Sequence, residues 1–407
     1  MSVKTSYRQL KCSSGQDTMK IRSISTKILR VPLGDRQFYS SQAPFPERNS
    51  LLVRIETECG LVGWGEGAQY GPPEPVAACI NHVLGPRLLG RDPAEPVRIW
   101  EELYAFSRDF GQKGTYIEAL SAIDIALWDI SGQAVGLPVW KLLGGRFRES
   151  VTAYATGCYY PKRFDDLSAS LHGLETEASS YRDAGFTLLK LKIGLLGIEQ
   201  DIERIRVIRE AVGPTIGLLV DANHAYTAAT AIRMGRKMEP YDVRFFEEPV
   251  VPEDLDGYRF VRQQNPIPVA GGECEFTRYG FRDLIAGGCV DVAQPDLAVC
   301  GGFTAWLDIL TLAKTYGVGL VPHVWGSGIA VAAALHAVAT VPPIPHTVNP
   351  IPLSNETVLE FDRKHNPLRD ELLEQEFVLS GGRLAIPSGP GLGVTVREDA
   401  LTRFTSN

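Results

Sequence analysis

Three carboxylates, Asp221, Glu247 and Glu273, fall 26 residues apart, and each ends a short apolar run. Gly217-Leu218-Leu219-Val220 leads into Asp221, Val243-Arg244-Phe245-Phe246 into Glu247, and Pro268-Val269-Ala270-Gly271-Gly272 into Glu273. Apolar runs this short, with helical stretches between them, read as buried parallel strands. A repeat of roughly 25–30 residues is one strand plus one helix of a βα barrel, the fold whose C-terminal strand ends carry chemistry. Three hard oxygen donors on adjacent strand tips make a site for a divalent cation, Mg²⁺ by preference. An enzyme is the expectation.

The 407 residues are enough for a barrel of ~250 residues and a second domain. A net charge of −7 and the absence of a basic stripe argue against a nucleic-acid partner. An anionic substrate would have to be drawn by a local site and its metal. The seven cysteines are scattered without a CxxC pair, as in a reducing compartment. No apolar run approaches the ~20 residues of a membrane span, and the first 18 residues lack a signal-peptide core. A soluble cytoplasmic protein with no membrane partner is expected.

Residues 1–18 read as a disordered extension and 19–145 as an α+β domain, with strands near 21–28, 51–57 and 61–66 and helices at 76–89, 93–107 and 115–135. The stretch 34–49 is long for a hairpin loop, and loops of that length are often lids. Over 146–370 the pattern alternates strand and helix. Strands are placed near 151–157, 187–192, 217–221, 243–247, 268–273, 290–294, 317–322 and 344–349. The fold class is therefore α/β: a (β/α)₈ TIM-like barrel with an N-terminal α+β capping domain, completed by a C-terminal segment, 371–407, that returns to the cap. A doubly wound open sheet is the alternative; the equal carboxylate spacing favours the barrel. Strand-like pieces are expected at 377–379 and 393–396.

Leu188-Leu189-Lys190-Leu191-Lys192 puts two lysines on one side of a strand whose other residues are apolar. Facing inward they are costly unless an anion offsets them. Repulsion and burial would lower a lysine pKa and make a base usable near neutrality. Asp296 and His323, 27 residues apart, end two further strands. Adjacent tips would let Asp296 accept a hydrogen bond from His323, an acid/base dyad. An isolated pair of this kind is usually structural; one in register with a metal triad is less so. Together the parts suit removal of the proton α to a metal-bound carboxylate, with the enediolate stabilised electrostatically.

These motifs resemble the enolase superfamily in its mandelate racemase/muconate lactonizing enzyme branch, a superfamily that uses a lysine or histidine base with Mg²⁺. The matching segments are Lys190-Leu191-Lys192, Val220-Asp221-Ala222-Asn223, Phe246-Glu247-Glu248-Pro249, Gly271-Gly272-Glu273, Pro295-Asp296, Pro322-His323 and the helical stretch 119–129. The resemblance implies Asp221, Glu247 and Glu273 as Mg²⁺ ligands and Lys192 as base. It implies Lys190 as the partner contacting the substrate carboxylate, His323 and Asp296 as the opposing dyad, and Asn223 beside the metal. Leu359-Glu360-Phe361-Asp362 resembles an eighth-strand motif that makes Glu360 a carboxylic acid near the substrate. Glu248 reads as structural. The family also implies that the 34–49 loop covers the barrel mouth. Tyr39 and Arg48 lie in it as candidate substrate contacts, Arg48 either holding a distal carboxylate or standing as a solvated surface arginine. Trp325, Tyr159 and Tyr160 would be pocket walls. Family members are commonly homo-oligomers.

Asp221-Ala222-Asn223-His224, the run 247–253, Pro322-His323-Val324-Trp325-Gly326 and the run 360–367 resemble galactarolactone cycloisomerases and acid-sugar dehydratases. The implied reaction is Mg²⁺-dependent α-proton abstraction, then β-elimination, on a small aldonic or aldaric acid or its lactone. Asn223 stands where galactonate-type dehydratases carry a histidine, which counts against that subgroup. One alternative is a racemase or epimerase using the same Lys/His pair. Another, of a different class, is a non-catalytic barrel that binds a sugar acid.

Overall fold

The computed structural model describes residues 19–67, 71–161, 167–344 and 356–406. The expected extension 1–18 and the expected strand 344–349, from its second residue on, lie outside them. Eight parallel strands form the main sheet: Ser150–Thr156, Leu188–Lys192, Gly217–Asp221, Val243–Glu247, Val269–Gly271, Val292–Ala293, Gly319–Leu320 and Val358–Asp362. Numbered first to eighth along the chain, they lie in the spatial order seventh, sixth, fifth, fourth, third, second, first, eighth. The eighth strand is thus Val358–Asp362, later than the pattern suggested, and it pairs with the first. The Thr357 hydroxyl donates to Leu320 O, tying the two ends of the curled sheet together.

Side-chain alternation builds the barrel interior in layers. The floor is apolar: Tyr154, Leu188, Leu219, Phe245, Ala270 and Val321 pack together, with Val292 and Val358 against them. Two residues further along the strands the inward layer turns polar, with Thr156, Lys190, Asp221, Glu247, His323 and Glu360, all buried. The intervening Leu189, Leu191, Leu218 and Val220 face outward into the main core with the helices.

The cap is a three-stranded antiparallel sheet, Ile21–Pro32, Glu47–Thr57 and Val62–Gly67, backed by the helix Thr115–Val135. Gly63, Gly65 and Gly67 alternate along one face of the last strand. A Cβ on them would lie 2.3 Å from Ala126 O, 1.9 Å from Ala122 O and 2.6 Å from Glu118 O. Residues 118, 122 and 126 form one ridge of the helix, so the strand lies directly on the helix backbone. The 34–49 segment is more ordered than a loop. Its short strands Phe38–Tyr39 and Pro44–Phe45 pair with each other, and Phe38–Tyr39 pairs with Tyr160–Pro161 beyond the first barrel strand.

Two cap carboxylates seat the cap on the barrel. Glu66 accepts from Ser327 N (2.8 Å), Ser327 Oγ (2.6 Å) and Ala330 N (2.9 Å), at the start of the helix Gly328–Ala339. Asp124 accepts from Thr304 N (3.0 Å) and Thr304 Oγ1 (2.6 Å), in the first turn of the helix Gly302–Tyr316. Both exploit unsatisfied N–H groups and the positive end of a helix dipole. The tail crosses the barrel first, where Arg383–Ala385 pairs antiparallel with the first strand. It then returns to the cap, with Ser406 N donating to Ile28 O at 3.0 Å. The strands expected at 377–379 and 393–396 do not form. Phe377, Leu379 and Val394 pack on the core, but a single isolated bridge, Leu373 with Val396, reaches the second stretch.

His336 joins barrel and tail as a neutral ring: Trp140 N donates to its Nδ1 (3.2 Å) and its Nε2–H donates to Leu392 O (3.0 Å). Burial lowers its pKa from 6.5 to about 4. The unfolded chain therefore takes up this proton first as the pH falls, so the ring's contribution is complete above pH 6.5 and lost between there and about 4. The urea midpoint should fall more steeply over that window in the native protein than in His336→Gln. Gly65→Ala should destabilise by ~3 kcal/mol, the upper end for overpacking, because the new methyl meets backbone; urea denaturation at pH 7 measures it.

Candidate active site

Sheet register brings the candidate residues to one rim. Lys192 pairs with Asp221, Asp221 with Glu247, and Glu247 with Ala270, at the fifth strand, which Glu273 follows. Glu273 swings inward through Gly272, whose φ of +123° suits only glycine and whose Cβ would meet Phe281 at 2.9 Å. Asp296 and His323 form a bridge just past the sixth and seventh strands. The eighth strand presents Glu360.

Oxygens of Asp221, Glu247 and Glu273 all lie within 4.8 Å of one another. The Lys190 ammonium, fully buried, sits 2.7 Å from Glu247 Oε1, 2.9 Å from Glu360 Oε1 and 3.6 Å from Asp221 Oδ2. Lys192 Nζ donates to Asp221 Oδ2, and Asn223 N donates to Asp221 Oδ1 at 2.8 Å. Glu360 also accepts from the Thr156 hydroxyl and from Val324 N at 3.2 Å.

Four carboxylates here face two ammonium groups. Burial opposes the Asp221 charge, yet Lys192 and Lys190 hold its carboxyl below the ordinary range. Burial, then the Asp221 charge, pushes Glu247 upward. Glu247 Oε2 is buried and accepts no hydrogen bond from the described residues. Clustered hard oxygens with an unmet acceptor and surplus negative charge fit a divalent cation, with Asp221, Glu247 and Glu273 as the residues able to hold it.

The lysines differ from the sequence expectation of lowered pKa values. Burial does act in that direction, but the carboxylates outweigh it: Glu247 and Glu360 raise Lys190, and Asp221 raises Lys192. Repulsion from Lys190 acts on Lys192 and is the smaller effect. Both are ammonium ions resting on the carboxylate oxygens.

Across the rim, His323 Nδ1 is 2.7 Å from Asp296 Oδ2, and Ala298 N donates to Asp296 Oδ1 at 2.8 Å. Nε2 points into the carboxylate cluster, 3.5 Å from Glu273 and 3.6 Å from Glu360. Burial favours the neutral ring, but Glu273, Glu360 and Asp296 prevail and raise the pKa to about 9.

A cavity of about 660 Å³ opens onto this rim, lined by Asn223, Glu273, Trp325, Arg48 and Phe45 among others. Tyr39 is not among its lining residues; it stands in the short sheet opposite Pro44 and Tyr160. Arg48, expected to hold a distal carboxylate, already has a partner. Its Nη2 is 2.7 Å from Asp362 Oδ2, both buried, and its Nε donates to His365 O at 3.2 Å. The guanidinium lies 4.6 Å from the Trp325 ring and 5.0 Å from Phe38. Its Nη1 is a buried donor without a partner among the described residues. Phe38 and Phe45 of the cap pack on Tyr159 and Trp325 of the barrel at centroid distances of 4.5–6.4 Å, closing one side of the mouth. Sequence reading passed over Thr156, Glu66 and Asp124 as contributors. The one available signal for the last two was a carboxylate inside an otherwise apolar run.

Residues 24–144 match the mandelate racemase / muconate lactonizing enzyme N-terminal domain, and residues 173–400 match the enolase C-terminal domain-like family. The D-galactarolactone cycloisomerase of Agrobacterium fabrum (strain C58) is 46% identical over 386 residues, 95% of this chain and 99% of that one. The solved 3,6-anhydro-D-galactonate cycloisomerase from Zobellia galactanivorans superposes with a TM-score of 0.84 at 41% identity, over 95% of this chain and 100% of that one. A racemase from Streptomyces coelicolor A3(2), solved with bound magnesium, gives 0.82 at 29% identity, over 95% and 100%. Among the described residues, no helix is long and apolar enough to cross a membrane. The chain is a lyase or isomerase belonging to the enolase superfamily, in its mandelate racemase/muconate lactonizing enzyme branch.

Proposed function

We propose that this enzyme removes the proton α to the carboxylate of a sugar acid or its lactone and then expels the β-oxygen, as in the ring opening of a galactarolactone. The observation that carries the reading is a pair of opposed proton carriers. Lys192 stands against Asp221 on one side of the carboxylate cluster and His323 against Glu273 and Glu360 on the other. A substrate bound between them exposes a different face to each.

Asp221, Glu247 and Glu273 would hold Mg²⁺, which when bound supplies Lewis-acid stabilisation to the enediolate formed from the substrate carboxylate. Lys190, fixed between Glu247 and Glu360, is placed to donate to a carboxylate oxygen and to balance charge as it grows there. One of Lys192 and His323 accepts the α-proton in its neutral form. The other gives a proton to the departing β-oxygen, while Glu360, kept ionised against the effect of burial by Lys190 and His323, is no proton donor. Asp296 holds the His323 ring by Nδ1, so that Nε2 is the atom that exchanges the proton. The aromatic wall and the cap close one side of the cavity and limit water at the carbanionic centre. Asn223 and Arg48 Nη1 offer polar contacts to the substrate's hydroxyl or distal carboxylate groups.

Bases on both faces also suit racemisation or epimerisation, and one experiment separates the readings. With Mg²⁺ in D₂O, ¹H NMR over aldonic and aldaric acids and their lactones should show substrate loss and a new 3-deoxy-2-keto acid. Exchange of the α-proton with no net loss would replace elimination by epimerisation. Binding with neither outcome would leave a sugar-acid-binding barrel. Glu273→Gln should weaken Mg²⁺ binding at least tenfold by calorimetry and abolish turnover, with the circular dichroism unchanged. Full activity in that variant would remove Glu273 from the metal site.

A further inference from the structure

The strand tips that carry Asp221, Glu247 and Glu273 carry a second set of side chains just beyond. His224, Glu248 and Cys274 each bring one ligand-type atom within 4.8 Å of the other two. The chain turns sharply to place them, with left-handed φ values of +63° at His224 and +45° at Glu248. His224 N donates to Glu248 O at 2.9 Å and Glu248 N to Ala270 O at 3.0 Å, so the tips are held together.

The side chains have unmet bonding capacity. Glu248 is 1% exposed, and its Oε2 lies 3.2 Å from His224 Nδ1. Neither atom has a hydrogen-bond partner among the described residues. On the other edge of the ring, His224 Nε2 is 3.9 Å from Cys274 Sγ. A proton shared by Glu248 and His224 would satisfy two of the three groups and leave the thiol with only its long 3.9 Å hydrogen bond at Nε2. A cation uses all three. One imidazole nitrogen, one carboxylate oxygen and one thiolate sulfur are the donor types of a borderline ion such as Zn²⁺, bound by three protein ligands with a fourth position open. His224 and Cys274 line the same cavity as Asn223 and Glu273, which gives an ion a route in and an open side.

We propose that His224, Glu248 and Cys274 form a second cation site beside the Asp221–Glu247–Glu273 set, selective for an ion of the zinc class. Binding forms a metal–sulfur bond and releases the thiol proton to solvent. The proposal is independent of the substrate assignment.

Co²⁺ is the probe, because thiolate ligation produces a sulfur-to-cobalt charge-transfer band and an all-oxygen site does not. Full-length protein stripped by chelator is saturated with Mg²⁺ and titrated with Co²⁺ without oxygen. One equivalent should develop the band. One equivalent of Zn²⁺ should then abolish it, while a large excess of Mg²⁺ should not. The band should be lost in Cys274→Ser, and Co²⁺ affinity should drop tenfold or more in His224→Gln, with circular dichroism confirming that each variant folds. No band in the native protein, a band that survives Cys274→Ser, or a band displaced by Mg²⁺ as readily as by Zn²⁺ overturns the proposal. The native-protein competition decides the matter even where a variant does not fold.

Discussion

The ammonium group of Lys190 is the hinge of this structure. It is fully buried and contacts Glu247 and Glu360, with Asp221 at 3.6 Å, so one cation from the second strand neutralises carboxylates from the third, fourth and eighth. Leaving any of these charges buried without the others would cost several kcal/mol. The barrel mouth is therefore assembled as a set. Lys190 and Lys192 rest on oxygens of the same Asp221 and Glu247 carboxylates that suit a divalent cation.

The apolar floor beneath supplies the rigidity that such a network requires. Tyr154, Leu188, Leu219, Phe245, Ala270 and Val321 fill the interior one layer below the charges, and a packed layer resists the small displacements that would separate the ion pairs. Above, the cap is fixed to the barrel by buried hydrogen bonds as well as by apolar burial. Glu66 and Asp124 seat on the first turns of two helices, Gly328–Ala339 and Gly302–Tyr316. Those helices directly follow the loops that carry His323 and Asp296. Cap docking and dyad geometry thus share the same backbone, and a shift of the cap would be felt at His323.

Much of this was legible in one dimension. The 26-residue spacing of Asp221, Glu247 and Glu273, the alternation of Lys190 and Lys192, and the 27-residue step from Asp296 to His323 all reflect repeats of the βα unit. A repeat places successive strand tips side by side without knowledge of anything else. Other features escaped for a stated reason in each case. The eighth strand lies at Val358–Asp362, where it pairs with Ser150–Thr156 some 200 residues earlier, a partner that no local pattern specifies. Arg48 is matched to Asp362, a partner more than 300 residues away that no spacing rule connects to it.

What the sequence by itself determined is the set of strand tips, the inward faces and the chemical types presented there. Those follow from the pleat and the crossover length, which are local properties of the chain. What only the tertiary structure decided is the charge state and company of those groups. Lys190 and Lys192 are ammonium ions because carboxylates from other strands stand within reach, although burial alone would make them neutral. His224, Glu248 and Cys274 gather only because three separate tips turn together. Electrostatic environment depends on distance in space, and distances across a barrel are set by the closure of the whole sheet.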